Sequence, residues 1–266
     1  MRSIAQLFAL SGRTALVTGA AGHIGLAIGQ ALVEQGATVA VADIDAAACA
    51  RRAVELCTYA DRADAAFAVP VDLADEASTR AAVHVAARGG TLDLLIHNAG
   101  YTGATKLAGW AEPFAQQTLA AWRAAHAVNV DAAFVLAQEA APLLRQAEGA
   151  IILVASIYGF VAPQWSLYDD TAMANPAAYG ASKGGLIQLG RYLATTLAPV
   201  RVNCISPGGV ARGQDPRFVE RYVSRTPLAR MANEEDLKGA VAYLASAASA
   251  YVTGHNLVVD GGWSTW

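Results

Sequence analysis

The sequence is poor in cysteine, and the positions of its cysteines indicate neither a disulfide framework nor a metal site. Only Cys49, Cys57 and Cys204 occur in 266 residues. Their number is odd and their spacing fits no metal motif, which predicts thiols that act as packing residues in a reduced, cytoplasmic setting. The histidines show no metal-ligand pattern either, so we expect no metal site.

Charge is equally scarce, since Asp, Glu, Lys and Arg make up 15% of the chain and the formal net charge is −3. The sequence contains no basic stripe, which argues against a nucleic acid or an anionic membrane as partner. No apolar run approaches a bilayer span, and the first residues lack a convincing signal-peptide cleavage site. No linker, charge run or repeat divides the chain, so residues 1–266 are predicted to form a single domain.

Hydrophobic residues are abundant, at 55% of the chain, with a strong bias to alanine. This composition suits helices packed closely on a sheet and predicts a homo-oligomer, a tetramer or a dimer, that hides apolar surface. Short apolar runs alternate with longer helical patterns, which is typical of an α/β fold with a doubly wound parallel sheet. We predict about seven strands, at Thr14 to Thr18, Thr38 to Asp43, Ala66 to Val71, Leu92 to His97, Ala150 to Ser156, Arg201 to Ser206 and Asn256 to Val259.

A glycine-rich turn, Thr18-Gly-Ala-Ala-Gly-His-Ile-Gly25, follows the first predicted strand and precedes an alanine-rich helix. Glycines at such a place let the backbone approach a pyrophosphate at the helix N-terminus, although a simple tight turn has the same composition. Asp43 ends the second strand, 18 positions past Gly25. A carboxylate there accepts from ribose hydroxyls and repels a 2′-phosphate, which favours NAD over NADP. The alternative is that Asp43 only caps the helix starting near Ala46.

Polar and small residues also follow the third and fourth strands. Asp72, before Leu73, is suited to accept from an exocyclic amine such as that of adenine, or to cap the next helix. Asn98, Ala99 and Gly100 leave room for a flat ring, although Asn98 also fits an Asx-turn. His97 lies inside an apolar run, which indicates a hydrogen-bonded core residue rather than a ligand.

The strongest chemical motif is Tyr179-Gly-Ala-Ser-Lys183, which places a phenol and an ammonium one helical turn apart on the same face. Asn175 is a candidate helix cap and Pro176 suits the first helical position, so Tyr179 is expected in the opening turns of a helix. A nearby cation and a helix N-terminus both favour tyrosinate, as proton exchange near neutral pH requires. A chain of this composition can also contain such a pair by chance, so a catalytic role for Tyr179 and Lys183 depends on the other motifs around them.

Two further polar residues complete a candidate catalytic set. Ser156 ends the fifth strand at the same sheet edge, with no Gly-x-Ser-x-Gly elbow around it, which disfavours a serine hydrolase and favours a hydroxyl that donates to a substrate oxygen. Asn129 lies within a helical stretch from Ala127 to Gln138, where asparagine is unfavourable. It is expected to hold a water or a carbonyl, or to make an ordinary side-chain hydrogen bond.

Taken in order along nearly the whole chain, these motifs and the closing Asp260-Gly-Gly262 resemble the short-chain dehydrogenase/reductase family. The resemblance implies a Rossmann-like fold, NAD(H) as coenzyme, and a tetrad of Asn129, Ser156, Tyr179 and Lys183. It implies that Tyr179 exchanges a proton with the substrate, Ser156 bonds the same oxygen, Lys183 lowers the tyrosine pKa and holds the nicotinamide ribose, and Asn129 positions a water. The cofactor-binding residues it implies are Gly19, Gly22, His23, Ile24, Gly25, Asp43, Asp72, Leu73, Asn98, Ala99, Gly100, Tyr179, Lys183, Pro207, Gly208 and Val210.

The chain departs from this family pattern at several positions. His23 stands beside Gly22 where a glycine is usual, and His97 stands where asparagine is common. Ala211-Arg212 replaces the threonine region after Pro207-Gly208. Ser156 and Tyr179 lie 23 positions apart, which is unusually long for the family.

The extra length forms a predicted substrate-side loop at 157–176, rich in aromatic residues and carboxylates that suit a polyhydroxylated ligand. A loop that packs on the core or on a neighbouring subunit is the alternative. Candidate substrate residues are Tyr101, Tyr158, Trp165 and Arg212. The main hypothesis is an NAD-dependent oxidoreductase acting on a secondary alcohol or ketone of a sugar, polyol or sugar-derived compound, similar to members associated with sugar and surface-polysaccharide metabolism. A 3-oxoacyl-thioester reductase and a catalytically silent NAD-binding scaffold are the alternatives.

Overall fold

The computed structural model describes residues 1–102 and 105–266. This part of the chain forms one seven-stranded sheet in the order β3-β2-β1-β4-β5-β6-β7. Every neighbouring pair of strands is parallel, which confirms the predicted doubly wound α/β fold. The strands are β1 (Thr14–Thr18), β2 (Thr38–Asp43), β3 (Ala66–Pro70), β4 (Leu94–His97), β5 (Ala150–Val154), β6 (Arg201–Pro207) and β7 (Asn256–Val259).

The central strands are buried on both faces because helices cover the sheet on each side. All five residues of β5 are buried, as expected for a parallel strand without polar alternation. Separate apolar clusters fill the two layers, one including Leu136 and Leu186 and the other Ile28 and Leu244. The helices are α1 (Ile4–Phe8), α2 (His23–Glu34), α3 (Ala46–Tyr59), α4 (Glu76–Ala87), α5 (Leu119–His126), α6 (Ala132–Ala147), α7 (Ala177–Thr196), α8 (Pro216–Val223) and α9 (Lys238–Ala245).

The helical stretch Leu119–Ala147 is long and apolar enough to cross a membrane by length and composition, with a mean hydropathy of 1.2. The expectation that no apolar run approaches a membrane span was therefore wrong for this stretch. Within the fold, 44% of its most apolar window is buried, and α6 packs on α4 and on β4. The stretch thus forms α5, a π turn and α6, and α6 belongs to the helix layer that covers one face of the sheet.

The strand order places the candidate residues at one edge. β1 lies between β2 and β4, so the chain reverses its winding direction at the β1/β4 boundary, where ligands of doubly wound sheets bind. Thr18 pairs in register with His97, which brings the residues that follow both strands side by side. The glycine turn and the Asn98-Ala-Gly100 segment therefore meet at the carboxyl ends of the strands.

Candidate active site

The glycine turn after β1 requires glycine at two of its positions. Gly19 has φ +64°, and a Cβ there would lie 2.8 Å from the Ala99 Cα. A Cβ on Gly25 would lie 2.1 Å from the Gly19 carbonyl oxygen, well inside contact distance. Gly22 has no such crowding and precedes His23, the first residue of α2. His23 thus begins the helix, and glycine at 19 and 25 allows the turn to pack tightly against Ala99 and against its own backbone.

A cavity of about 340 Å³ opens directly above this turn. It reaches from the end of β2 across β1 to the end of β4, a path that fits an extended dinucleotide. Eleven of the sixteen predicted cofactor residues line it, together with Tyr101 and Arg212 from the predicted substrate set. The lining also includes Ile44, Val71, Ala74, Thr102 and Val128, which the sequence analysis did not select. The first four lie next to predicted positions in the sequence, and Val128 lies in the Asn129 turn.

Asp43 faces this cavity from the end of β2. Its Oδ2 accepts from the Ala21 N–H at 3.3 Å and its Oδ1 from the Ile44 N–H at 2.8 Å. The alternative that Asp43 caps α3 is wrong, because Asp45 is the cap and accepts from the Ala48 N–H at 2.9 Å. The Asp43 carboxylate is thus held beside the turn with capacity to accept further hydrogen bonds.

Asp72 and Asn98 occupy the neighbouring strand ends. The Asp72 Oδ1 accepts from the Ala74 N–H at 2.9 Å, and α4 is capped by Asp75 rather than Asp72. The Asn98 amide donates to the carbonyls of Thr18 and Gly19 at 3.2 and 3.0 Å. Asn98 therefore braces the glycine turn instead of making an Asx-turn.

His97 is fully buried, and its tautomer follows from its neighbours. The Thr18 Oγ1 accepts from the Asn98 and Ala99 N–H groups, both at 3.2 Å, so its own proton is left for His97 Nδ1 at 3.1 Å. The remaining ring proton then lies on Nε2, which has no partner that meets hydrogen-bond geometry among the described residues. Burial, with a smaller effect from Lys183, lowers the His97 pKa to about 3. His97 is thus a neutral core residue, as the sequence predicted.

Asn129 lies in a widened π turn, Ala127–Asp131, between α5 and α6. Such turns often mark functional positions. The Asn129 Oδ1 accepts from the Tyr101 N–H at 2.8 Å, and its Nδ2 donates to Ser182 Oγ at 2.9 Å. The side chain thereby ties the segment after β4 to α7, and the role of holding a water stays a prediction.

Lys183 is almost completely buried on α7, at 4% exposure. Its Nζ donates to the Val154 carbonyl at 2.7 Å and lies 5.9 Å from the centroid of the Tyr179 ring. Burial lowers the Lys183 pKa to about 8, since the interior disfavours the charged ammonium. The helical spacing thus brings the pair together, with the ammonium under the ring face rather than at the hydroxyl.

Tyr179 lies in the first turn of α7, as predicted, but the cap differs by one position. Pro176 is the cap residue, and the Asn175 amide is directed into the loop at 157–176. Burial raises the Tyr179 pKa, whereas contact with the Ser156 hydroxyl lowers it in part. Ser156 follows β5, and its Oγ also accepts from the Tyr158 N–H at 3.2 Å. The phenol therefore keeps its proton at neutral pH, and the predicted lowering by Lys183 stays a prediction.

The loop at 157–176 packs on its own chain. Tyr158 and Tyr168 join an apolar cluster with Phe218, Tyr222 and Trp263, which favours the core-packing alternative for these rings. Of the predicted substrate residues, Tyr158 lies beside Tyr179, with ring centroids 6.5 Å apart, whereas Trp165 is 60% exposed.

Of the predicted residues at and after the end of β6, only Arg212 lines the larger cavity. Gly208 lines a separate, smaller cavity with Tyr222 and Asp260, and Val210 forms a bridge with Ala232. Pro207, Gly208 and Val210 therefore do not line the larger cavity. Arg212 does line it, and its Nε lies 3.5 Å from a Glu234 carboxylate oxygen.

The cavity therefore has a carboxylate at the Asp43 end and the Gly100 segment at the other, where a Cβ on Gly100 would lie 3.3 Å from Lys183 Nζ. Tyr179, Ser156 and Lys183 themselves do not line it. The protonated phenol and the hydroxyl are suited to polarise a carbonyl oxygen, and the tyrosinate form would take a proton from an alcohol. Gly22, where a Cβ would meet nothing closer than 3.4 Å, lines the cavity at the N-terminus of α2, and a helix N-terminus favours a pyrophosphate. The residues present therefore fit a nicotinamide dinucleotide.

Comparisons with known proteins agree with this geometry. Residues 19–264 match the family model described as Enoyl-(Acyl carrier protein) reductase. The chain is 34% identical to the rhamnolipids biosynthesis 3-oxoacyl-[acyl-carrier-protein] reductase of Pseudomonas aeruginosa, over 96% of this chain and 97% of that protein. It is also 34% identical to the D-threitol dehydrogenase of Mycolicibacterium smegmatis, over 97% and 95%. The crystal structure of a gluconate 5-dehydrogenase from Burkholderia cenocepacia in complex with NADP and tartrate matches with a TM-score of 0.86 and 30% identity, over 99% of this chain and 100% of that one.

Proposed function

The chain belongs to the short-chain dehydrogenase/reductase family of oxidoreductases, and we propose that it is an NAD-dependent enzyme acting on a secondary alcohol or ketone of a polyol, sugar or sugar-derived compound. The observation that carries the proposal is the cavity that runs from Asp43 over the glycine turn to the Asn98-Ala-Gly100 segment, which adjoins Lys183 of the Tyr179 helix. Similarity to a D-threitol dehydrogenase supports a polyhydroxylated substrate.

In this proposal Tyr179 handles the proton. Its raised pKa keeps the hydroxyl protonated near neutrality, so the phenol donates its proton to a carbonyl oxygen during reduction. Oxidation runs from the tyrosinate, which accepts the proton of the alcohol. Ser156 bonds the same substrate oxygen and stabilises the charge that develops there. A bound nicotinamide supplies the hydride donor or acceptor.

The remaining residues hold these groups in place. Lys183 is fixed by the Val154 carbonyl under the Tyr179 ring, where its charge favours the tyrosinate form. Asn129 joins the strand-end segment at Tyr101 to α7. At the other end, the Asp43 carboxylate is placed to accept from adenosine ribose hydroxyls, which supports NAD as the coenzyme.

A dehydrogenase screen tests this function. Reduction of NAD and of NADP is measured across polyols, sugars, sugar phosphates and simple secondary alcohols, with the expectation of NAD-linked turnover of a polyhydroxylated compound. Absence of turnover over the whole panel, despite tight NADH binding, would instead support a catalytically silent NAD-binding scaffold.

A second candidate function is 3-oxoacyl-thioester reduction, favoured by the similarity to the Pseudomonas aeruginosa reductase. It predicts NADPH-linked reduction of an acetoacetyl thioester, and Asp43 argues against NADPH. Faster turnover of the thioester with NADPH than of any alcohol with NAD would favour this candidate.

We also propose a homo-oligomer. Trp122 of α5, Phe134 of α6 and Tyr192 of α7 are large apolar side chains exposed at 38%, 47% and 60%. Side chains of this kind are typical of subunit contacts. Light scattering coupled to size exclusion should give the mass of a dimer or a tetramer, and a monomer would contradict the proposal.

A further inference from the structure

Arg212 is the residue through which the segment after β6 reaches the larger cavity. The other described residues of the lining come from the ends of β1, β2, β3 and β4 and from the π turn. Tyr179 and Ser156 are not among them. A ligand that meets Arg212 in this cavity is therefore the coenzyme rather than the reacting part of the substrate.

The charges around the cavity call for a cation at this place. Arg212 is the single Lys or Arg among the described residues of the lining, where Asp43 and Asp72 supply carboxylates. A dinucleotide carries a negative charge on each phosphate of its pyrophosphate, and these two carboxylates repel it. A guanidinium binds a phosphate through two parallel N–H···O bonds, which makes Arg212 the matching group.

The backbone at Arg212 is fixed on both sides. The Ala211 N–H donates to the Ala232 carbonyl at 2.8 Å, and the Arg212 N–H donates to Gln214 Oε1 at 2.6 Å. The Gln214 amide in turn donates to the Val210 carbonyl at 2.6 Å. The base of the arginine side chain is thus held in place before a ligand binds, which lowers the entropy cost of binding.

The guanidinium, in contrast, is held loosely. Its Nε lies 3.5 Å from Glu234 Oε1, and the two side chains are exposed at 36% and 30%. Such a pair contributes little to stability. A phosphate can therefore take the guanidinium from Glu234 at small cost to the fold.

Glu234 also shows on which side of the cavity the guanidinium lies. It begins the short 3₁₀ turn Glu234–Leu237, and this turn packs on α2. The cap of α2 is Gly22, which lines the cavity and has no side chain to bond the first N–H groups of the helix. Arg212 is thus held beside the helix whose N-terminus favours a pyrophosphate.

We propose that the Arg212 guanidinium exchanges its loose pairing with Glu234 for the pyrophosphate of the coenzyme, which it binds together with the N-terminus of α2. This inference rests on the proposed function, because its ligand is a nicotinamide dinucleotide. It moves Arg212 from the candidate substrate residues to the coenzyme-binding residues. Arg212 thereby supplies the contact that Pro207, Gly208 and Val210 do not make.

Fluorescence titration with NADH tests the contact without turnover. Arg212→Gln removes the charge and keeps a polar side chain, and it should raise the Kd for NADH by at least about tenfold. Arg212→Lys keeps the charge without the planar fork and should give an intermediate Kd. Added salt should weaken NADH binding to the wild type more than to Arg212→Gln, since salt screens the ion pair.

Arg217→Gln is the matched control in the same segment. It removes the same charge at a residue that pairs with Asp215 at 3.0 Å and lies outside the described lining of the cavity. We expect its Kd for NADH to stay within about twofold of the wild-type value. An equal rise in Arg212→Gln and Arg217→Gln would overturn the inference, because it would report the overall charge of the segment.

ADP-ribose, which has the pyrophosphate but no nicotinamide, locates the contact along the coenzyme. Calorimetry should show that Arg212→Gln weakens ADP-ribose and NADH by the same factor. Weaker NADH with unchanged ADP-ribose would overturn the inference and assign Arg212 to the nicotinamide end. An unchanged Kd for NADH, with a higher KM only for substrates that carry a carboxylate or phosphate, would overturn it in favour of a substrate contact. Failure of the wild type to bind NADH would contradict the proposed function itself, so the two failures are distinguishable.

Discussion

Replacing Asp43 by asparagine should convert the coenzyme preference from NAD towards NADP. The change removes the charge at the end of β2 and keeps one acceptor oxygen, which can serve the Ile44 N–H at 2.8 Å. The weaker contact with the Ala21 N–H at 3.3 Å is lost, because the second oxygen becomes an amide nitrogen. The side chain keeps its size, so the shift in preference reports mainly the loss of the carboxylate charge.

The size of the effect follows from two terms. Hydrogen bonds to a charged acceptor exceed neutral ones by about 1 kcal/mol each, so losing the charge towards two ribose hydroxyls weakens NADH binding by about 2 kcal/mol, or roughly 30-fold. Asp43 is partly exposed, so its repulsion of a doubly charged 2′-phosphate at about 5 Å is screened to about 1.7 kcal/mol, which corresponds to roughly 15-fold. The NADH-to-NADPH preference should therefore fall by two to three orders of magnitude, to about 1/500 of its wild-type value.

Fluorescence titration of both coenzymes measures this ratio directly. Asp45→Asn is the matched control, because it removes the same charge two residues away, where the carboxylate caps α3. It should leave both the unfolding free energy and the coenzyme ratio nearly unchanged, because asparagine caps a helix about as well as aspartate. A ratio unaltered by Asp43→Asn would show that this carboxylate does not select the coenzyme. Arg52, whose Nε donates to the Ala21 carbonyl at 3.2 Å, would then be the next residue to replace.

Three further predictions concern the buried lysine, the glycine turn and the proposed subunit contact. Burial lowers the Lys183 pKa from 10.5 to about 8, so above pH 8 the unfolded chain holds this proton more tightly than the folded protein does. The free energy of unfolding of the wild type should therefore rise as the pH increases from about 8. Urea unfolding at pH 7 and 9.5 should show this rise in the wild type and not in Lys183→Met. Gly25→Ala should destabilise the protein by more than about 2 kcal/mol in thermal unfolding, whereas Gly22→Ala should be tolerated, because only the Gly25 Cβ would meet a backbone oxygen at 2.1 Å. Phe134→Glu should reduce the mass measured by light scattering if α6 forms a subunit contact, and an unchanged oligomer would exclude that face.

The strands were predictable because buried parallel strands read as short aliphatic runs. β1, β2 and β7 have the predicted bounds, and the others differ by one or two residues at an end. The residues that end the strands were also predictable, since parallel topology brings all carboxyl ends to one edge. Asp43 and Asn98 were therefore predicted from the sequence alone, and both line the cavity.

Packing and electrostatics were harder to foresee. Spacing placed Tyr179 and Lys183 on one helix face, but it did not show that Lys183 would bond the Val154 carbonyl or that burial would raise the pKa of the phenol. The partners of Tyr168 and Asn175 depend on how the loop folds onto α8, which no local pattern encodes. Asn175 was predicted as a helix cap, and its amide bonds the Tyr168 hydroxyl instead.

The most direct test of the account is turnover by Tyr179→Phe, with the Kd for NADH measured in parallel. The variant removes only the hydroxyl that carries the proton, so NAD-linked oxidation of the accepted alcohol should fall to the limit of detection, while NADH binds as in the wild type. Wild-type turnover in the variant would contradict the assignment of Tyr179 as the group that exchanges the proton.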